Sequence, residues 1–149
     1  MPARRQSSRP YRLDASLLAF VAVGAFLGPR MIDARAALLW TRYFAAQSGP
    51  VARPIDAARQ AGRAAARVID RAAPLPMAAE AARNALTFGQ TLMPLQPPAA
   101  LALYTDVRTA LDHARASRVR GLGLGAVAAE AHALEDAARA AVDASTNKP

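Results

Sequence analysis

Residues 98–144 read PAALALYTDVRTALDHARASRVRGLGLGAVAAEAHALEDAARAAVDA. Two apolar seams flank a glycine connector in this stretch. Leu101, Tyr104, Val107, Leu111 and Ala114 precede it; Val127, Ala131, Leu134, Ala138 and Ala141 follow it. Spacing of three to four residues puts each set on one helix face. The pattern predicts an antiparallel helical hairpin, packed through small residues, with Tyr104, Val107 and Leu111 against Val127, Leu134 and Ala138. Gly121, Gly123 and Gly125 form its flexible connector. They lack the G-x-G-x-x-G spacing and follow a helix rather than a strand, so they do not spell a nucleotide fingerprint.

Upstream, Met77 to Met93 forms a further helix whose apolar face is Met77, Ala81, Ala85, Phe88 and Leu92. No charge occurs from Asn84 to Thr105, but Pro94, Pro97 and Pro98 divide that run. Proline removes a backbone donor and clashes with the preceding turn, so the run predicts a turn between two helices and not a straight membrane span.

Residues 54–73 predict another helix, with Asp56 in its favourable first turn and Pro74-Leu75-Pro76 ending it. Ile55, Ala58, Ala65, Val68 and Ile69 are its apolar side. Arg59, Arg63, Arg67 and Arg71 follow one another at i, i+4 and therefore share one stripe. Like charges at that spacing cost about 0.2–0.5 kcal/mol per pair. An anion is expected to face them: a lipid head-group layer, an acidic protein surface, or, within the chain, Glu130, Asp136 and Asp143, which lie roughly a heptad apart.

The N-terminal part is read in three pieces. Residues 1–13, with Arg4, Arg5, Arg9 and Arg12, predict a disordered basic tail. Ala15 to Pro29, ASLLAFVAVGAFLGP, is free of charge. Asp14 or Ser16 is placed to cap its helix, and Gly28-Pro29 is placed to end it. Fifteen residues at about 1.5 Å rise give about 22 Å, short of a hydrocarbon core about 30 Å thick. The expectation is a membrane-associated helix, a transmembrane one being the strongest form of it. Leu17, Leu18, Phe20, Val21, Val23, Phe26 and Leu27 would be its lipid contacts. A cleaved signal or transit segment, with Ala34-Arg35-Ala36 as an A-x-A-like site, and a buried core helix are the alternatives. A second helix is expected from Arg30 to Gln47, carrying Met31, Leu38, Leu39, Trp40, Tyr43 and Phe44. Trp40 and Tyr43 beside Arg42 suit a water–lipid boundary. Ser48-Gly49-Pro50 then breaks the chain.

These pieces add up to an all-α fold of five or six short Ala-rich helices with no β-sheet. Its domains are a basic tail (1–13), an apolar helical segment (14–47), a helical domain (48–144) and a flexible end (145–149). The chain has 149 residues, a net charge of +8 and no cysteine, which excludes disulfide scaffolds and thiol chemistry. All the excess charge lies in residues 1–75, where twelve Arg face four Asp. Lys148 is the only lysine. His113 and His132 sit on different predicted helices, and no Ser-His-Asp, Glu-x-x-His or H-E-x-x-H pattern is legible. No catalytic, metal or cofactor site is therefore expected, and no small-molecule substrate.

The function expected is a small non-enzymatic, membrane-associated accessory or scaffold subunit of a larger assembly. It would act by helix packing and Arg–anion contacts, at a bacterial inner membrane or an organellar membrane. Its partners would be membrane lipid, protein subunits, or both. Secretion after signal cleavage is the alternative location. The alternative function is a basic nucleic-acid-binding protein whose tail and Arg ladder contact phosphates. A small amphipathic coat protein is a third class compatible with the composition.

Overall fold

The computed structural model describes residues 15–147 apart from Pro74, with side chains described from Ala25 onward, Phe26 excepted. The described residues form α1 (Ala15–Ala45), α2 (Pro54–Ala72), α3 (Pro76–Leu92), α4 (Pro97–Ala116) and α5 (Gly125–Thr146). The fold is all-α. Proline stands in the first turn of α2, α3 and α4, where its missing N–H would have no helical partner and its fixed φ favours the helix. The basic tail expected over 1–13 lies outside the described residues.

The largest departure from the sequence pattern is at Gly28-Pro29. A break was expected there, yet α1 is one helix of 31 residues with Pro29 inside it. A proline usually excludes the preceding residue from helical angles because its Cδ strikes that residue's Cβ. Gly28 has no Cβ, which removes that clash and leaves the lost hydrogen bond and the crowding of the ring against the preceding turn as the local cost. Before the glycine connector, α4 stops at Ala116. Gly121 and Gly123 shape the turn that follows. A Cβ on Gly121 would lie 2.8 Å from the Arg115 Cα, and Gly123 takes a left-handed φ of +75° that side chains rarely adopt.

Cross-helix contacts give the order of the bundle. Asp33 meets Arg67 and Arg71, while Trp40 and Phe44 share a wall with Gln60, so α1 and α2 are antiparallel. Arg42 meets Glu80, Asn84 meets Thr41 and Phe88 meets Phe44, so α1 and α3 run parallel. Gly62 abuts Asp106 and Asp70 meets Arg120, so α2 and α4 run parallel. Thr105 and Arg108 meet Glu135, and Asp112 meets His132, so α4 and α5 are antiparallel, as the paired seams predicted. Helices α2 and α4 touch each other and each packs on α3, with α1 against α2 and α5 against α4.

Alanine sets the spacing of these helices. Among the described residues, sixteen of the twenty-nine buried apolar side chains are alanine, which lets backbones approach closely but buries little area per residue. Larger side chains fill the remaining centre: Phe88, Leu103, Tyr104, Val107 and Leu111 are all fully buried. Gly89 shows how close the packing is. A Cβ there would lie 2.3 Å from Tyr104 Cε1, so the tyrosine ring of α4 lies against the bare backbone of α3. Ile55, assigned to the apolar side of α2, is exposed, because it stands in the first turn, beyond the reach of the neighbouring helices. Leu111→Ala is expected to cost about 2–3 kcal/mol in chemical denaturation. A loss below about 0.5 kcal/mol would mark a surface position and contradict the α4–α5 register.

Candidate anion site and membrane face

The arginine ladder of α2 divides into two halves. Arg71 Nη1 lies 2.7 Å from Asp33 Oδ2, and Arg67 Nη1 lies 3.8 Å from Asp33 Oδ1. The lower half is thus turned toward α1. The upper half, Arg59 and Arg63, borders a cleft of about 530 Å³ between α2 and α4, whose other wall carries Asp106, Thr109 and His113. Asp106 packs directly over Gly62, where a Cβ would come within 2.8 Å of its carboxylate. Burial pushes the Asp106 carboxyl above its ordinary range, while Arg63 and then Arg59 pull it back. The intrachain acids that face the ladder are therefore Asp33 and Asp106, and not Glu130, Asp136 or Asp143. The reason is topological: α5 packs on α4 and α3 and makes no contact with α2.

Above this cleft, where α1 ends and α2 begins, lies a second cavity of about 650 Å³. Arg53, Arg59 and Arg63 stand on its α2 side, with Asp56 the one carboxylate of its lining. Trp40, Phe44 and Phe88 supply an aromatic wall from α1 and α3. The Phe44 and Phe88 rings are 5.2 Å apart between centroids, and Trp40 lies 6.3 Å from Phe44.

Helix α1 presents two faces. Ala34, Ala37, Leu38, Thr41 and Phe44 are buried against the bundle. Thr41 is satisfied there, donating to the Leu38 carbonyl at 2.8 Å and accepting from Asn84 at 3.2 Å. The opposite face, Ala25, Pro29, Ile32, Ala36, Leu39, Trp40 and Tyr43, is exposed and uncharged throughout. Ile32 is 71% and Trp40 58% exposed. Of the expected lipid contacts, Leu27, Trp40 and Tyr43 are exposed. The side chains of Leu17, Leu18, Phe20, Val21, Val23 and Phe26 lie outside the described residues. Among the described residues, no helix is long and apolar enough to cross a membrane; the transmembrane form of the expectation finds no support in them.

The strongest polar constellation is one the sequence pattern passed over. Glu135 of α5 is 4% exposed. Its carboxylate accepts from Arg108 Nε, from Arg139 at 2.8 Å and from Thr105 at 3.1 Å. Arg108 also reaches Asp112 at 2.9 Å, and Asp112 lies 3.2 Å from His132 Nε2. Burial alone would raise the Glu135 carboxyl, but the bonds from Thr105 and Arg108 and the two arginine charges outweigh it and hold it below its ordinary range. Asp112 is lowered in the same way, burial being overcome by His132 and Arg108. A signal existed: Glu135 falls between Ala131 and Ala138, on the apolar seam itself. Nearby, burial pushes the Tyr104 phenol up to about 12, with Glu130 adding to it. The Tyr104 hydroxyl is buried without a hydrogen-bond partner among the described residues.

His113 and His132 are both exposed, the first on the α2–α4 cleft and the second on the α4–α5 edge. Among the described residues no three of His, Asp or Glu are grouped as a metal site. Compared with protein families, curated proteins and solved structures, the chain matches none.

Proposed function

We propose that this chain is a non-enzymatic accessory subunit that attaches to a membrane through α1 and offers its Ala-rich bundle to a larger assembly. The observation that carries this reading is the division of α1. Among its described side chains the buried, bundle-facing ones begin at Ala34, while the other face stays uncharged from Ala25 to Tyr43. That face continues, on the same unbroken helix, the charge-free run that starts at Ala15. Arg35 and Arg42 are exposed on α1 itself. A helix face that is exposed, apolar and aromatic, with arginine beside it, suits the water–lipid boundary of a membrane. The association proposed is with the membrane surface or a membrane-embedded partner. The pairing of Arg67 and Arg71 with Asp33 leaves fewer phosphate contacts for the nucleic-acid alternative.

Fractionation tests this. The protein is expected in the membrane pellet, resistant to high salt and released by detergent. Val21→Arg should move it to the soluble fraction, since a central arginine disfavours insertion by about 2.5–3.5 kcal/mol. A wild-type protein that is soluble from the start sinks the reading. Release by nuclease or salt alone would favour the nucleic-acid alternative instead.

A further inference from the structure

We infer that the cavity between the end of α1 and the start of α2 binds a phosphate group carried on an apolar body. Arg53, Arg59 and Arg63 border this one space. Among the described residues none of the three guanidinium groups makes a hydrogen bond or ion pair. This distinguishes them from Arg67 and Arg71, which Asp33 engages. Asp106, in the neighbouring cleft, feels the charges of Arg63 and Arg59 but forms no ion pair with either. With Asp56 counted, the cavity lining keeps a net charge of +2.

The shape of this charge selects the ligand class. Three guanidinium groups offer more forked donors than the two oxygens of one carboxylate accept. A phosphate, with three free oxygens and up to two charges, matches them better. The opposite wall is aromatic. Phe88 is fully buried and Phe44 nearly so, whereas Trp40 is more than half exposed, so the wall ends in a ring still free to gain contact. An apolar body attached to the phosphate would cover Trp40 while its head group meets the arginines. Two sources share this chemistry: a phospholipid head group, or a soluble phosphate monoester with an apolar tail. Trp40 belongs also to the α1 face proposed to meet the membrane, so dependence on Arg53 and Arg63, which lie off that face, is what separates this site from attachment through α1.

Trp40 is the only tryptophan of the chain and forms part of the wall, so its emission reports occupancy in the full-length protein. Octyl phosphate, kept below its micelle concentration, is expected to shift that emission saturably, with matching heat in calorimetry. Octyl glucoside, which has the same tail and no charge, is expected to do neither. Arg53→Gln and Arg63→Gln should each weaken octyl phosphate by about tenfold, the loss of one charge-assisted contact. Arg118→Gln removes the same charge outside the cavity and should leave binding unchanged. Circular dichroism of each variant checks that the helices persist.

Vesicles of phosphatidylcholine containing phosphatidic acid then separate the sources. If the lipid head group is the ligand, they shift Trp40 emission in an Arg63-dependent way. If a soluble monoester is the ligand, octyl phosphate still binds through Arg63 while any vesicle response is independent of it. Either result supports the site. Equal responses to octyl phosphate and octyl glucoside, equal binding by wild type and the folded Arg53→Gln and Arg63→Gln variants, or no emission change and no heat would overturn it.

Discussion

Phe88→Ala is expected to lower stability by about 4 kcal/mol, the range for removing a buried aromatic, and the melting temperature by roughly 10 °C. Phe88 is fully buried on α3 and stacks at a tilt on Phe44 of α1. Much of the surrounding core is alanine, including Ala58, Ala61, Ala82 and Ala85. An alanine has no rotamers with which to move into a vacated space, so the void can close only by shifting whole helices. The cavity term should therefore add to the lost transfer energy and not be relieved by repacking. Leu95→Ala is the matched comparison. Leu95 is exposed in the α3–α4 turn, and its change should stay within about 0.5 kcal/mol. Thermal and urea denaturation of the two variants measure the difference. A Phe88→Ala loss no larger than that of Leu95→Ala would mean that α3 is not seated against α1 as described.

Glu135→Ala is expected to cost about 3 kcal/mol. Removing one member of a buried ion pair leaves its partners with uncompensated charge, a penalty of about 3–5 kcal/mol. The low end applies because Arg108 and Arg139 partly reach water. Glu135→Gln should cost less, since an amide still accepts from Thr105 or Arg108. The network also sets a pH dependence. Glu135 and Asp112 both titrate below their ordinary ranges in the folded state. Their contribution is therefore present above the unfolded values, near pH 4, and is lost as pH falls through the folded ones. Asp106 has the opposite sign, because its folded value is raised and protonation eases its burial. Wild-type stability should decline below about pH 4, and Glu135→Gln should flatten that decline. An identical acid profile in wild type and Glu135→Gln would exclude Glu135 as its source.

Much of this architecture is legible in the residues alone. Proline positions bound α2 and α3 to within one residue of the helices observed. The seams around Tyr104 and Val127 specify an antiparallel α4–α5 pair, because a three-to-four-residue spacing leaves each helix one apolar stripe and a short glycine connector leaves one way to join them. The Arg59 to Arg71 ladder is equally local information, since i, i+4 spacing puts its members on one stripe wherever the helix lies. Which anions meet that stripe is another matter. Asp33 is 34 residues from Arg67, and Asp106 is 43 from Arg63; only the placement of α1 and α4 on either side of α2 brings them there. The continuation of α1 through Pro29 has a similar origin. A proline lowers helix propensity locally, but the burial of Ala34, Ala37, Leu38 and Phe44 against α2 and α3 holds the second half of α1 in line. Glu135 on the seam, the orphaned Tyr104 hydroxyl against Gly89 and the gathering of Arg53, Arg59 and Arg63 opposite Trp40 belong to the tertiary structure as well. Charge and burial act through space, and helical periodicity records only which residues share a face, not what that face will meet.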